Sequence, residues 1–252
     1  MDTLKARWRR LFPHVVQYGP PDEAVRPAVL LFHGCGGIRP HHLRYVEAAV
    51  QAGFRVFLID SFGPRRWSKR FAAHLVCSGL IFRGPERAGD VLAAVWGVSQ
   101  IPGVDASRLA LGGWSHGSWS IMDLMTMRLD RPGEAGLADP DPAPMAGVKS
   151  LWLAYPYCGV VARSRSRQWL YTPRTFGVVP RRDHLGSART HMKAYASAVA
   201  AGADVEIWSV DATHAFDEPG IRLPLPIEYD ETLSAEAAQR FQAFLLSALL
   251  KG

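Results

Sequence analysis

The sequence predicts one α/β domain: a mostly parallel central sheet covered by helices on both faces. Three observations predict it. Short apolar runs alternate with segments whose apolar residues recur at helical spacing, the pattern of strand–helix–strand units. Turn residues punctuate the ends of the runs, as in His33-Gly34-Cys35-Gly36-Gly37 and Gly113-Trp114-Ser115-His116-Gly117. The chain has 252 residues, 48% hydrophobic and 21% charged, which is enough for one large core and excludes a disordered, collagen-like or disulfide-stapled miniprotein class.

The elements follow in order. Residues about 1–25 read as a short N-terminal extension that docks on the domain. Val29 to Phe32 is a continuous apolar run, hence a buried strand. Pro40 opens a helix that Gly53 ends. Phe54 to Ile59 is the next buried strand, closed by Asp60. Between Ser61 and Arg83 only a short helix around Phe71 to Val76 stands out. Pro85 suits the first turn of a helix through Val98, with Val91, Ala94, Val95 and Val98 at helical spacing. Arg108 to Leu111 is a short strand, and His116 to Met127 a helix. Residues about 131–147 are rich in Pro and Gly and form a loop insertion. Val148 to Ala154 is a strand, Pro156 to Arg174 is irregular, and Thr175 to Val179 is a weak strand. Ser187 to Ala201 is helical, with Gly202 as its stop. Val205 to Val210 is the last strand. Ser234 is the expected cap of a final helix whose apolar stripe is Ala238, Phe241, Phe244, Leu245, Ala248 and Leu249.

Charge and cysteine usage narrow the function classes. Lys plus Arg is 29 and Asp plus Glu is 23, a formal charge of +6. That excess is modest and scattered, which argues against a nucleic-acid partner. No apolar run approaches the roughly 20 residues a membrane-spanning helix needs, so no stable membrane insertion is expected. The basic N-terminus lacks the apolar segment of a signal peptide. Cys35, Cys77 and Cys158 are odd in number and contain no CxxC pair. They read as reduced thiols of a cytoplasmic protein, with no disulfide framework and no metal site.

Gly113-Trp114-Ser115-His116-Gly117 matches G-x-S-x-G between a strand and a helix. Such a turn presents a serine hydroxyl above the sheet edge, beside the unpaired N–H groups of a helix N-terminus. An oxyanion hole needs two backbone donors. Those of Cys35 and His116 are the expected pair, with Gly34 or Gly36 as substitutes for Cys35. The glycine loop lacks GxGxxG and a Lys-Ser/Thr ending, so a nucleotide is not expected there. Serine needs an imidazole base held by a carboxylate. His214, in the loop after the last strand, is the expected base. Asp183, one strand earlier, is the expected acid, with Asp211 and Asp60 as competitors. The order Ser115, Asp183, His214 is that of Ser…Asp…His hydrolases. His33 is expected to order its loop, His191 to be structural, and His41 and His42 to be solvated or capping. His116 should point its ring away from the serine.

The His33-Gly34 loop, the Ser115 elbow, Asp183 and Thr213-His214-Ala215-Phe216-Asp217 together resemble the α/β-hydrolase superfamily, and within it the dienelactone-hydrolase-like group. The resemblance covers about Ala28 to the end. It implies an α/β-hydrolase fold and acyl transfer without a cofactor. Two departures stand out. Dienelactone hydrolase carries a cysteine nucleophile where this chain has Ser115, which points to a general carboxylesterase. The group's Gly-x-x-Asp has Pro180 in place of its glycine. The expected substrate is a small or medium ester. Trp114, Tyr155, Trp67, Arg65 and Arg66 are candidate pocket residues. A serine peptidase and a non-catalytic binding protein are the alternatives. The last helix docks on the sheet or pairs in a homodimer.

Overall fold

The computed structural model describes residues 1–77, 79–221 and 225–250. Seven strands form one sheet: β1 (Val15–Tyr18), β2 (Arg26–Phe32), β3 (Arg55–Ile59), β4 (Val104–Trp114), β5 (Val148–Ala154), β6 (Arg174–Arg182) and β7 (Val205–Thr213). Their order is β1-β3-β2-β4-β5-β6-β7. β1 runs antiparallel to β3, and every other neighbouring pair is parallel. The helices are α1 (Leu4–Leu11), α2 (His41–Gln51), α3 (Lys69–Leu75), α4 (Gly84–Val98), α5 (His116–Leu124), α6 (Ala188–Ala200) and α7 (Glu231–Leu249).

The sheet separates two cores. One is mainly aliphatic, where residues of α1, α4, α5 and α6 such as Leu11, Val91, Leu92, Ile121 and Ala194 meet Leu30, Leu111 and Leu151. The other is aromatic, where Tyr45 of α2 and Phe241 and Phe244 of α7 meet Trp114, Trp152 and Phe176. Inner strands buried on both faces must be apolar throughout, as the Ala28–Phe32 stretch of β2 is.

Several expectations change. The N-terminal segment is built into the fold. α1 is capped by the Thr3 hydroxyl, and β1 extends the sheet beyond β3. The loop insertion holds two 3₁₀ turns, Glu134–Gly136 and Ala143–Gly147, and accepts the N-terminus through Ala138 N–H to Asp2 O at 2.7 Å. β4 is longer than its apolar run, because Val104 already pairs with Arg26 before a register shift. Asp230, not Ser234, caps α7. Its carboxylate accepts from Leu233 N–H, and Ser234 lies buried one turn inside. The three thiols are not all reduced: Cys35 and Cys77 form a disulfide, and only Cys158 is free and buried. No helix among the described residues is long and apolar enough to cross a membrane.

Candidate active site

The parallel strands carry their following turns to one edge of the sheet, and the predicted residues meet there. Ser115 sits between β4 and α5 with φ 50° and ψ −109°, a conformation most side chains avoid. Two close approaches hold that bend. A Cβ on Gly113 would lie 2.5 Å from Ser118 N, and one on Gly117 would lie 2.1 Å from Phe32 O. Ser115 N–H donates to Ala154 O at 2.9 Å, fastening the turn to β5.

His214 Nε2 lies 2.9 Å from Ser115 Oγ, and His214 Nδ1 lies 2.8 Å from Asp183 Oδ2. With Nδ1–H donating to the carboxylate, Nε2 is left to accept the serine proton. Ser115 and His214 are nearly buried, and the Asp183 side chain has no exposure. Burial alone would raise the Asp183 pKa, but the hydrogen bond and charge of His214 and the N–H of Leu185 hold it below the usual value. Arg181 and Arg182 do not capture it. Arg182 pairs with Glu228 and Asp211 instead, which leaves Asp211 on the exposed surface. Asp60 is tied to its own loop through Phe62 N–H and Gly63 N–H. Pro180 is tolerated in β6 because the β5 ladder ends at Val178, and the register with β7 shifts just after it.

The 34–37 turn closes through Gly37 N–H to Gly34 O at 3.2 Å, and Trp119 N–H returns to Ser115 O at 2.9 Å. Those bonds leave the N–H groups of Cys35 and His116 outside them. Gly34 lies against Ser115, where an added Cβ would be 3.6 Å from Ser115 Cβ. His33 orders this loop as expected, with Nδ1–H on Gly34 O and Nε2 accepting from Ser61 N–H. The His116 ring points away from the serine: Nε2–H donates to Phe82 O, and Nδ1 accepts from Arg87. Burial, then the Arg87 charge, keeps this imidazole neutral.

Arg87 is fully buried and was not foreseen. Its guanidinium donates to His33 O at 2.7 Å, to Ser61 Oγ at 3.1 Å and to His116 Nδ1 at 3.1 Å. Burial pushes its pKa down to about 9, against the opposing pull of Asp90. His184 was also missed: its ring meets that of His214 edge-on at 5.6 Å.

The pocket candidates divide. Trp67 packs with Phe62, Phe82 and Cys35 in a cluster beside the glycine loop. Arg66 occupies the left-handed region at φ 55° in the same loop. Arg65 is committed elsewhere. It forks onto Asp90 and lies 4.0 Å from the centre of the Phe82 ring. Trp114 is a core residue, because alternation along β4 turns it to the α2 and α7 face. Tyr155 is buried with it. His41 and His42 are buried as well, with their tilted rings in contact and near Trp114, rather than solvated. His191 is structural, with Nε2–H donating to Pro156 O. Among the described residues no group of side chains has metal-ligand geometry. A cavity of about 710 Å³ between β1, β3 and α2 has none of Ser115, Asp183 or His214 in its lining.

The sheet order, the elbow and the strand-end placement of three polar groups decide the architecture. This is an α/β-hydrolase fold. The chain is similar to a dienelactone hydrolase-like promiscuous phosphotriesterase from metagenomic libraries, with 13% identity, 93% of this chain and 92% of that one covered, and a TM-score of 0.66. It is similar to esterase 2 of Thermogutta terrifontis at 18% identity, 92% and 88% coverage and a TM-score of 0.65. It is also similar to a thermostable carboxylesterase cloned from a metagenomic library, at 19% identity, 93% and 84% coverage and a TM-score of 0.61. No protein-family model and no curated protein matches the sequence.

Proposed function

We propose that the protein is a serine hydrolase that cleaves small or medium carboxylic esters through an acyl-enzyme. The observation that carries this reading is the continuous Ser115 Oγ–His214 Nε2–His214 Nδ1–Asp183 Oδ2 hydrogen-bond chain on a strained strand-to-helix turn. The likeness to structures named as esterases supports it.

In this reading His214 takes the Ser115 proton as the oxygen attacks the ester carbonyl. Asp183 fixes the imidazole tautomer and stabilises the imidazolium. The backbone N–H groups of Cys35 and His116 receive the oxyanion. The imidazolium protonates the leaving alkoxide. Water then attacks the acyl-enzyme with His214 as base, and the acid is released. Every proton taken is returned, so the cycle needs no cofactor.

Hydrolysis of p-nitrophenyl esters from C2 to C12 at pH 7 to 8 tests the reading. Ser115→Ala is expected to lose roughly 10⁴-fold or more in turnover, and Asp183→Asn roughly 10⁴-fold through the wrong tautomer. Equal rates for wild type and Ser115→Ala would remove Ser115 as the nucleophile for these esters. Faster cleavage of matched peptide amides would move the assignment to a peptidase.

A further inference from the structure

The base has far to reach. His214 follows β7, an edge strand that among the described residues pairs only with β6, whereas Ser115 follows β4, with β5 and β6 between them. The ladder alone would transmit any shift of β7 directly to the Oγ–Nε2 distance. Three residues after His214 lies Asp217, whose carboxylate is buried at 1% exposure. Three donors from three elements converge on it. Trp114 Nε1–H, from the residue before the nucleophile, donates to Oδ2 at 3.3 Å. Tyr155 O–H, at the end of β5, donates to Oδ1 at 2.6 Å. Tyr45 O–H, from α2, donates to Oδ2. The Tyr155 ring also meets the His214 ring edge-on at 4.8 Å. Tyr155 directly follows Ala154, whose carbonyl holds Ser115 N–H.

We propose that Asp217 is a positioning residue that sets the Ser115–His214 distance, by tying the base-bearing turn to the elbow across two intervening strands. The tether bypasses the ladder: Asp217 holds Trp114, and Trp114 is covalently joined to Ser115. Tyr155 adds a second tie through β5 and braces the imidazole from its edge. Tyr45 completes the donor set without touching the imidazole. A buried carboxylate that accepts three hydrogen bonds is strongly held, and each donor lost loosens the turn. The proposal rests on the assignment of His214 as base.

The test compares Asp217→Asn, Tyr155→Phe and Tyr45→Phe with wild type. Asp217→Asn keeps the shape but turns an acceptor into an N–H₂ group facing a donor. Misplacement near 1 Å costs roughly 10²-fold. Asp217→Asn is therefore expected to lower kcat about 100-fold for p-nitrophenyl acetate, per active site titrated, with KM changed less than about 3-fold. Tyr155→Phe is expected to lose about 10-fold, and Tyr45→Phe less than Tyr155→Phe. The second readout does not depend on hydrolysis. The His214 Nδ1–H proton, hydrogen-bonded to Asp183, is followed by NMR in the resting protein. In Asp217→Asn it is expected to shift upfield or broaden, while thermal unfolding shows a folded protein. An unchanged Nδ1–H signal in folded Asp217→Asn overturns the proposal, as does an unchanged kcat per titrated site. A wild type that neither hydrolyses esters nor reacts with a serine-directed phosphonate defeats the esterase reading. The NMR comparison still decides the role of Asp217.

Discussion

Two buried charged side chains of opposite sign flank the Ser115 turn, and they are held differently. Arg87, under the glycine loop, is served by a carbonyl, a hydroxyl and a neutral imidazole, and the buried Asp90 lies on the same helix. Asp217, on the other face of the sheet, is served by two phenols and an indole set among aromatic rings. The cation braces the loop proposed to receive negative charge. The carboxylate braces the turn proposed to carry the base. Each side of the candidate site thus rests on a charged group that is not itself in the proposed chemistry. Both act through backbone or ring orientation.

The comparison can be broken hardest on the Arg87 side. Arg87→Met leaves His33 O, Ser61 Oγ and His116 Nδ1 without their donor, and removes a cation from the vicinity of Asp90. Asp90 keeps Arg7 and Arg65, so the loss falls on the stranded acceptors. Each buried acceptor left without its donor costs about 1–3 kcal/mol, so urea denaturation should show a large fall in stability. Next comes the disulfide on the same side. Cys35 and Cys77 are 42 residues apart, and closing a loop of that length is worth about 4 kcal/mol in the chain-entropy model. Cys77→Ser should lower stability by about 2–4 kcal/mol. Adding a thiol reductant should weaken wild type but leave Cys77→Ser unchanged. Wild type unmoved by reductant would show that the bond adds nothing to stability.

The smallest expected effect sharpens the Asp217 side. His41 packs against His42, and burial, then the Arg39 charge, pushes its pKa from 6.5 down to about 3. Neither ring nitrogen has a hydrogen-bond partner in the described structure. The unfolded chain takes up a proton below pH 6.5 that the folded chain refuses. The stability is therefore present above pH 6.5 and is lost as pH falls toward 3. At pH 5 this one group costs about 2 kcal/mol. His41→Leu should gain about that much over wild type at pH 5 relative to their difference at pH 8. Chemical denaturation at the two pH values checks it, and parallel curves for the two proteins would remove His41 as the cause.

The strand core and the site were readable for different reasons. β2 and β3 announce themselves because both faces are buried, so nearly every residue is apolar. Ser115 and His214 were readable because the proposed chemistry needs fixed residue types in turns after strands, and Asp183 because it follows β6, between them in chain order and one strand before His214. Arg87 was hidden by its neighbours. Glu86, Arg87 and Asp90 in the first turns of α4 look like a solvated helix face. α1 and α5 cover that helix on both sides, which the sequence of α4 does not encode. The disulfide was hidden because its cysteines lie in two separate turns with no spacing signature. Asp217 was visible within a motif, but its role depends on donors from residues 45, 114 and 155, which only the folded sheet gathers.

The 99-residue separation of Ser115 from His214 also governs when the site can exist. A nascent chain that has completed β4 and α5 already presents the serine, but β6, β7 and the turn carrying His214 and Asp217 are still to be made. α7, which packs against α2 and β5, is made after them. Domains acquire their packing as units during synthesis. The Ser115–His214 pair therefore forms only after β7 and its following turn have been made, and a fragment ending before Thr213 would carry Ser115 without His214.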